Sequence, residues 1–293
     1  MIKGNQKETG NNKYVGFTLV KLKAINPTRH EVNKILGRED SEDDKDLSYV
    51  SQDQEGNRRV RLSFWLHDEK RDKYFIHSFN LTERKRLSKD ATKAQCVNNT
   101  CNTTWVPLDE HGNPDAQLLP AWFTHFTDRT GKETGAKQWR HALLGEEELV
   151  NLVRVWLGRI PWNDAKTSVL IDTEKLFNED YSELRKEING SFDKSFVILT
   201  GVRTDENDSS KQYQQVYSKS FLSGDYMAYI ENGLKFPTDY NRRTWQKFEQ
   251  EVTGAYGFQA YYELSPLKEY DPLKDLAVGT GPKESVTPTN PKF

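Results

Sequence analysis

The chain has 293 residues, 35% apolar and 29% charged, and its 42 basic side chains against 44 acidic ones leave a formal net charge of −2. That length holds one large domain or two smaller ones with a sizeable core, and no apolar run approaches the roughly 20 residues that span a bilayer. The amino-terminal Met-Ile-Lys-Gly-Asn-Gln-Lys-Glu lacks a signal-like apolar stretch, so the expectation is a protein that stays where it is made, without a membrane partner.

Residues 1–13 are polar and read as a flexible N-terminus. From residue 14 to 24, β-branched and aromatic residues predict a strand that alternates Val15, Phe17, Leu19 and Lys21 with its other face. A short helix follows, with Thr28 as N-cap, Glu31 as capping-box partner, Val32, Ile35 and Leu36 as buried stripe, and Gly37 as stop. Glu39, Asp40, Glu42, Asp43, Asp44 and Asp46 form an acidic loop, which leads through Gln54-Glu55-Gly56-Asn57 into a hairpin.

In that hairpin, residues 58–66 form one arm, 67–73 the turn and 74–81 the other arm. Alternate residues of a strand share a face. Val60, Leu62, Phe64 and Leu66 therefore make the core side, and Arg59, Arg61, Ser63 and Trp65 the opposite side. Residues 92–106 suggest polar strands around Val97 and Trp105. Residues 107–145 read as an irregular insertion anchored by Leu118, Leu119, Trp122, Phe123, Phe126 and Trp139.

Helical spacing then appears at 146–157, through Leu149, Leu152, Val153 and Trp156, and at 173–188, through Leu176, Phe177, Tyr181, Leu184 and Ile188. The run Phe196-Val197-Ile198-Leu199 predicts a buried strand over 195–204, and residues 211–221 pair back after a polar turn. Helices are expected at 225–234 and 239–252, and a last aromatic strand at 256–264 brings Tyr261 and Tyr262 to opposite faces. The predicted class is α+β: one domain at 14–264 with an OB-like curved β-barrel core and an irregular and helical insertion at about 107–190. A proline- and glycine-rich flexible tail, 265–293, ends in Phe293.

The chemistry of common enzymes is missing. No phosphate-binding Gly-x-x-x-x-Gly-Lys-Ser/Thr, Gly-x-Gly-x-x-Gly, His-Glu-x-x-His or Gly-x-Ser-x-Gly occurs, and the histidines have no metal-ligand spacing. Cys96 and Cys101 have no second pair to complete a zinc site and read as free thiols, while His77, between Phe75 and Phe79, reads as a core histidine. Asp43 and Asp44 sit in a hydrophilic loop rather than a magnesium site. The expectation is a non-enzyme without metal or cofactor.

What remains is binding chemistry. Arg59, Arg61 and Trp65 on one strand, and Tyr213, Tyr217 and Lys219 on another, set rings and cations in alternation. Single-stranded nucleic acid uses such a surface, because each stacked base contributes roughly 1–3 kcal/mol while cations follow the phosphates. Aromatics in strands also serve as core, and the pattern alone leaves that alternative open. For the strand of Tyr213 and Tyr217 it also leaves open which face is buried.

Several segments carry a resemblance. Asn26-Pro27-Thr28-Arg29, Leu36-Gly37-Arg38-Glu39-Asp40, Arg59-Val60-Arg61 and Phe64-Trp65-Leu66 are among them. So are Leu119-Pro120-Ala121-Trp122-Phe123, Tyr213-Gln214-Gln215-Val216-Tyr217 and Lys235-Phe236-Pro237-Thr238-Asp239-Tyr240. Together they resemble single-stranded DNA-binding proteins of crAss-like tailed bacteriophages, over about residues 14–271. The resemblance implies an OB-type core, a role in phage DNA replication or recombination in the cytoplasm of the infected bacterium, and no cofactor. Phe293 would then recruit phage replication proteins, as the phenylalanine tips of such proteins do, and self-association is compatible with this reading. The rival expectation is a virion structural or capsid-associated cargo protein, with the aromatics in core and subunit contacts and no nucleic-acid affinity.

Overall fold

The computed structural model describes residues 13–41, 47–162, 168–190, 194–205, 207–208, 211–256 and 265–270. Its strands are β1 (Tyr14–Ile25), β2 (Val50–Gln52), β3 (Arg58–Asp68), β4 (Lys73–Lys85), β5 (Lys93–Asn98), β6 (Thr103–Pro107), β7 (His125–Thr127), β8 (Glu133–Ala136), β9 (Trp139–His141), β10 (Leu143–Leu144), β11 (Ser195–Thr204), β12 (Gln212–Val216), β13 (Leu222–Ser223) and β14 (Lys268–Glu269). Its helices are α1 (Arg29–Ile35), α2 (Ala121–Thr124), α3 (Glu146–Trp156), α4 (Thr173–Phe177), α5 (Ser182–Asn189), α6 (Tyr226–Glu231) and α7 (Asp239–Tyr256).

A 9-stranded antiparallel sheet dominates, in the order β10-β4-β3-β1-β11-β12, with β2 beside β3, β13 beside β11 and β14 beside β1. The α+β class holds, but the barrel does not close: β12 lies against β4 without a strand ladder between them.

The two faces of the sheet have different fates. On the inner face, Val20, Leu22, Val60, Leu62, Phe64, Leu66, Phe79, Phe196 and Ile198 pack beneath Leu149, Leu152, Trp156, Leu176 and Leu184 of α3, α4 and α5. Phe64 and Phe79 meet edge to face at 5.1 Å, and burial of each such side chain contributes about 1.5–3 kcal/mol. On the outer face, Phe17, Val197 and Leu199 are capped by Tyr226, Met227, Ile230, Trp245, Phe248 and Val252 of α6 and α7. Both faces of β11 are thus covered, which is why its sequence is almost continuously apolar. β3 keeps the alternation of a strand with one core face.

Several expectations need correction. The predicted helix at 173–188 is two helices, because Glu179 takes a left-handed φ of 58° and breaks the run, and Asp180 Oδ1 accepts from Ser182 N at 3.1 Å just before the second helix. The return strand predicted at 211–221 stops at Val216. There Ser220 closes a turn, its Oγ donating to Tyr217 O at 2.6 Å and accepting from Leu199 N at 3.1 Å. In the insertion, Phe123 packs with Cys96 and Val106 against Leu119 and Trp139, whereas the expected anchors Leu118, Trp122 and Phe126 are exposed.

Ser265 and Leu267 bind along β1, with Phe17 N donating to Ser265 O at 2.7 Å and Leu267 N donating to Phe17 O at 2.8 Å. Tyr256, expected to open the strand predicted at 256–264, instead ends α7; the rest of that strand, with Tyr261 and Tyr262, and the tail from 271 to Phe293 lie outside the described residues.

Two further local readings are met. Thr28 and Glu31 form the expected capping box, and Cys96 and Cys101 are buried free thiols. Burial pushes these thiols up, to about 11 and about 12. Gly145 enters α3 at a φ of 87°, and a Cβ there would stand 2.0 Å from Asn80 O, so only glycine lets the chain pass this close to β4.

Candidate nucleic-acid interface

The hairpin of β3 and β4 sets the surface. Residues directly opposite in an antiparallel pair share a face. Arg59 therefore stands with Thr82, Arg61 with Asn80, Ser63 with Ser78, Trp65 with Ile76 and His67 with Tyr74 on the outer face. His67 and Tyr74 stack with centroids 4.4 Å apart. Arg59, Arg61, Ile76 and Asn80 are exposed, because α6 and α7 cover β1 and β11 instead.

Beside the arginines lies a polar pocket of about 280 Å³, lined by Ser48, Tyr49, Val50, Ser51, Arg59, Arg61 and Asn80, with no acidic side chain among the described residues of its wall. β2 forms one wall by pairing Val50 with Val60 and Ser51 with Arg59. Glu179 fixes that wall: Oε1 accepts from Tyr49 N at 2.8 Å, Val50 N at 2.9 Å and Ser48 Oγ at 2.9 Å. Desolvation pushes the Glu179 carboxyl upward, yet the bonds from Val50, Ser48 and Tyr49 outweigh it and hold the group below the usual glutamate range. The Tyr49 hydroxyl donates to Pro27 O at 2.8 Å, and burial, then the neighbouring Tyr181, pushes its pKa up to about 12.

Most of the basic region around this hairpin is committed within the fold. Arg58 grips Glu83 with Nε at 2.5 Å and Nη2 at 2.6 Å, and lies 5.2 Å from the Phe177 ring centroid. Arg84 pairs with Glu55 at 2.6 Å, Arg86 with Glu147 at 2.5 Å, and Arg71 with the buried Asp68 at 3.0 Å. Lys85 donates to Gly112 O at 2.9 Å and to Asn113 at 2.6 Å. The side chains of Arg59 and Arg61 have neither ion pair nor hydrogen bond among the described residues. The backbone positions of these alternate residues stand roughly 6.6 Å apart along the strand, so each side chain can reach a different phosphate.

The stacking half of the expectation is not met in the same way. Trp65 lies on the predicted face but is only 8% exposed, between Ala24 and Ile76 on the neighbouring strands. Tyr217, 6% exposed, belongs to the outer core under α6 and α7. Neither ring has a face to offer a base. Tyr213 is 50% exposed opposite Arg203. Lys219 is exposed but sits in the turn beyond β12.

Tyr213 and the arginines share the outer sheet face, yet β1 and β11 lie between their strands. Arg59 and Arg61 lie beyond the last residue of β1 that pairs with β3, whereas Tyr213 lies beyond the first that pairs with β11. One groove shared by both strands is not formed. Asn80, Ile76, Tyr74 and the β2 segment were missed in the sequence; the alternation of Tyr74, Ile76, Ser78 and Asn80 with Phe75, His77, Phe79 and Leu81 was the available signal for the first three.

Among the described residues no cluster of His, Cys, Asp and Glu can hold a metal ion, and no helix is long and apolar enough to cross a membrane. Comparison of the chain with protein-family models, with curated proteins and with solved structures finds no match in any of the three.

Proposed function

We propose that the chain is a single-stranded DNA-binding protein acting in phage DNA replication or recombination in the infected cell, with the outer face of β3 and β4 as its DNA surface. The observation that carries the reading is the pair Arg59 and Arg61, exposed, without an ion pair among the described residues and set beside a polar pocket. Phosphates of a single strand take the guanidinium groups, and Ser51 and Asn80 supply neutral polar contacts. The proposal extends to an OB-type core. Its support is the order β4-β3-β1-β11-β12, the lie of β12 against β4, and the helices between β4 and β11. In folds of that type the face of the second and third barrel strands, here β3 and β4, takes oligonucleotides. The resemblance to proteins of crAss-like phages supports the same reading.

The test is titration of the protein with a thymidine oligonucleotide while following tryptophan emission at several salt concentrations. Saturable binding whose affinity falls steeply with salt supports the proposal; a flat titration at low salt refutes it. The burial of Trp65 and Tyr217, with Leu118 and Tyr240 exposed for subunit contacts, favours the rival reading of a virion structural protein. Abundance in purified particles together with no oligonucleotide affinity would establish that rival.

A further inference from the structure

Of the three rings expected to stack bases, Trp65 and Tyr217 are buried and only Tyr213 is open, but the insertion between β6 and α3 carries two more exposed rings. Trp122 of α2 is 53% exposed and Phe126 of β7 is 39% exposed. Lys137 joins them: its Nζ donates to Trp122 O at 2.6 Å and lies 5.3 Å from the Phe126 ring centroid. The cation and both rings thus form one exposed constellation.

This constellation is anchored. β7 and β8 pair only with each other, and every residue from Phe126 to Ala136 is exposed. A lone hairpin of this size is marginal in water, so its orientation depends on its root. There Lys137 N donates to Thr124 O at 2.6 Å, Asn98 Nδ2 donates to Phe123 O at 2.8 Å, and Phe123 fills the core with Cys96 and Val106. Trp122 stands edge-on to Phe123 at 5.6 Å. The rings are held on a packed base and remain partly exposed, with Lys137 over one face of Phe126.

Charge and position select the occupant. Arg129, Lys132 and Lys137 exceed Asp128 and Glu133 on this arm. The Asp128 carboxylate is drawn into the hairpin loop, accepting from Thr130 N at 2.8 Å, Thr130 Oγ at 2.7 Å and Lys132 N at 3.0 Å. The insertion also grows from the end of β4 beside Arg59, since Thr82 faces Arg59 on one side and Leu144 of β10 on the other. Rings interleaved with cations suit a single strand, whose base faces are free, and not a duplex, whose base faces are hidden.

Resting on the function proposed above, we infer that the β7–β8 hairpin and its root are a second contact for the same strand. Trp122 and Phe126 stack bases, and Lys137, Lys132 and Arg129 meet phosphates. The full-length protein, Trp122→Ala, Phe126→Ala, their double variant and Trp122→Phe are titrated with a fluorescein-labelled thymidine oligonucleotide across a salt series. Thermal melts confirm that the variants fold.

The double variant is expected to bind at least about 30-fold more weakly with an unchanged salt slope, since two stacks are lost and stacking releases no counterions. Trp122→Phe keeps a ring and retains most of the affinity. If unmodified protein binds and the alanine variants bind equally well, this inference is overturned and the function proposed for the β3–β4 face stands. A salt slope that falls with the rings also overturns it. If unmodified protein does not bind, both readings fail together.

Discussion

Replacing Arg59 and Arg61 together by alanine removes the free cations of the β3 outer face and nothing else that the fold uses, because neither side chain bonds to a described residue. Each phosphate neutralised on a single strand contributes about −0.7 to the slope of log affinity against log salt. Two arginines that each meet one phosphate therefore account for about −1.4 of that slope. Raising salt fourfold, from about 50 to about 200 mM, should then shrink the affinity gap between native protein and double variant by about sevenfold. Fluorescence anisotropy of a labelled thymidine oligonucleotide across the salt series reads both numbers.

Arg58→Ala is the internal control. It breaks the two-pronged bond to Glu83 and the contact over Phe177, so it should lower stability while leaving the slope intact. Exposed substitutions of the kind made at Arg59 and Arg61 change stability by no more than about 0.5 kcal/mol, and thermal melts check this. A double variant with the native salt slope would refute the assignment of these arginines to phosphates, whatever its affinity.

Trp65→Ala and Tyr217→Ala should each destabilise the fold by about 3–5 kcal/mol, read by urea denaturation, because both rings are buried; a loss of DNA affinity without a loss of stability would contradict their placement. Arg140→Ala should lower stability by about 3–5 kcal/mol, since it strands the fully buried Glu146 carboxylate, which Arg140 meets through two nitrogens at 2.5 and 2.9 Å. A change under about 1 kcal/mol would show that Glu146 is satisfied by other groups.

Burial lowers the His77 pKa from 6.5 to about 4. The unfolded chain then binds the extra proton between these values, so stability is complete above pH 6.5 and falls as pH drops toward 4, by about 3 kcal/mol in total. His77→Leu should flatten that part of the urea-midpoint profile, and an unchanged profile would contradict the burial.

The parts of the fold legible in the sequence are those fixed by short-range pattern. Val60, Leu62 and Phe64 alternate cleanly, so β3 and its faces are readable from residues alone, and Thr28 with Glu31 marks the start of α1. The fate of each outer face was not legible, because it depends on which distant helix lands there. Tyr213 and Tyr217 share one alternation, yet α6 and α7 cover Tyr217 and leave Tyr213 open.

Charge partners are equally long-range. Alternation puts the adjacent Arg58 and Arg59 on opposite faces, but nothing local shows that Arg58 is bound by Glu83 while Arg59 is bound to nothing described. The same holds for Glu179, whose hold on Tyr49 and Val50 crosses 130 and 129 positions of sequence. It shapes the candidate pocket, yet it reads locally as a residue inside a helical stripe. In the insertion the apolar residues were visible, but exposure of Trp122 beside buried Phe123 follows from the single turn of α2, whose orientation only the packing decides.

Ultraviolet crosslinking of the full-length protein to a thymidine oligonucleotide, followed by mass spectrometry of the joined peptides, tests the central claim most directly. The account predicts crosslinks within residues 48–52, 58–67 and 74–82, lost when Arg59 and Arg61 are replaced. Crosslinks confined to the α6–α7 side, or none at low salt with the protein folded, would contradict it.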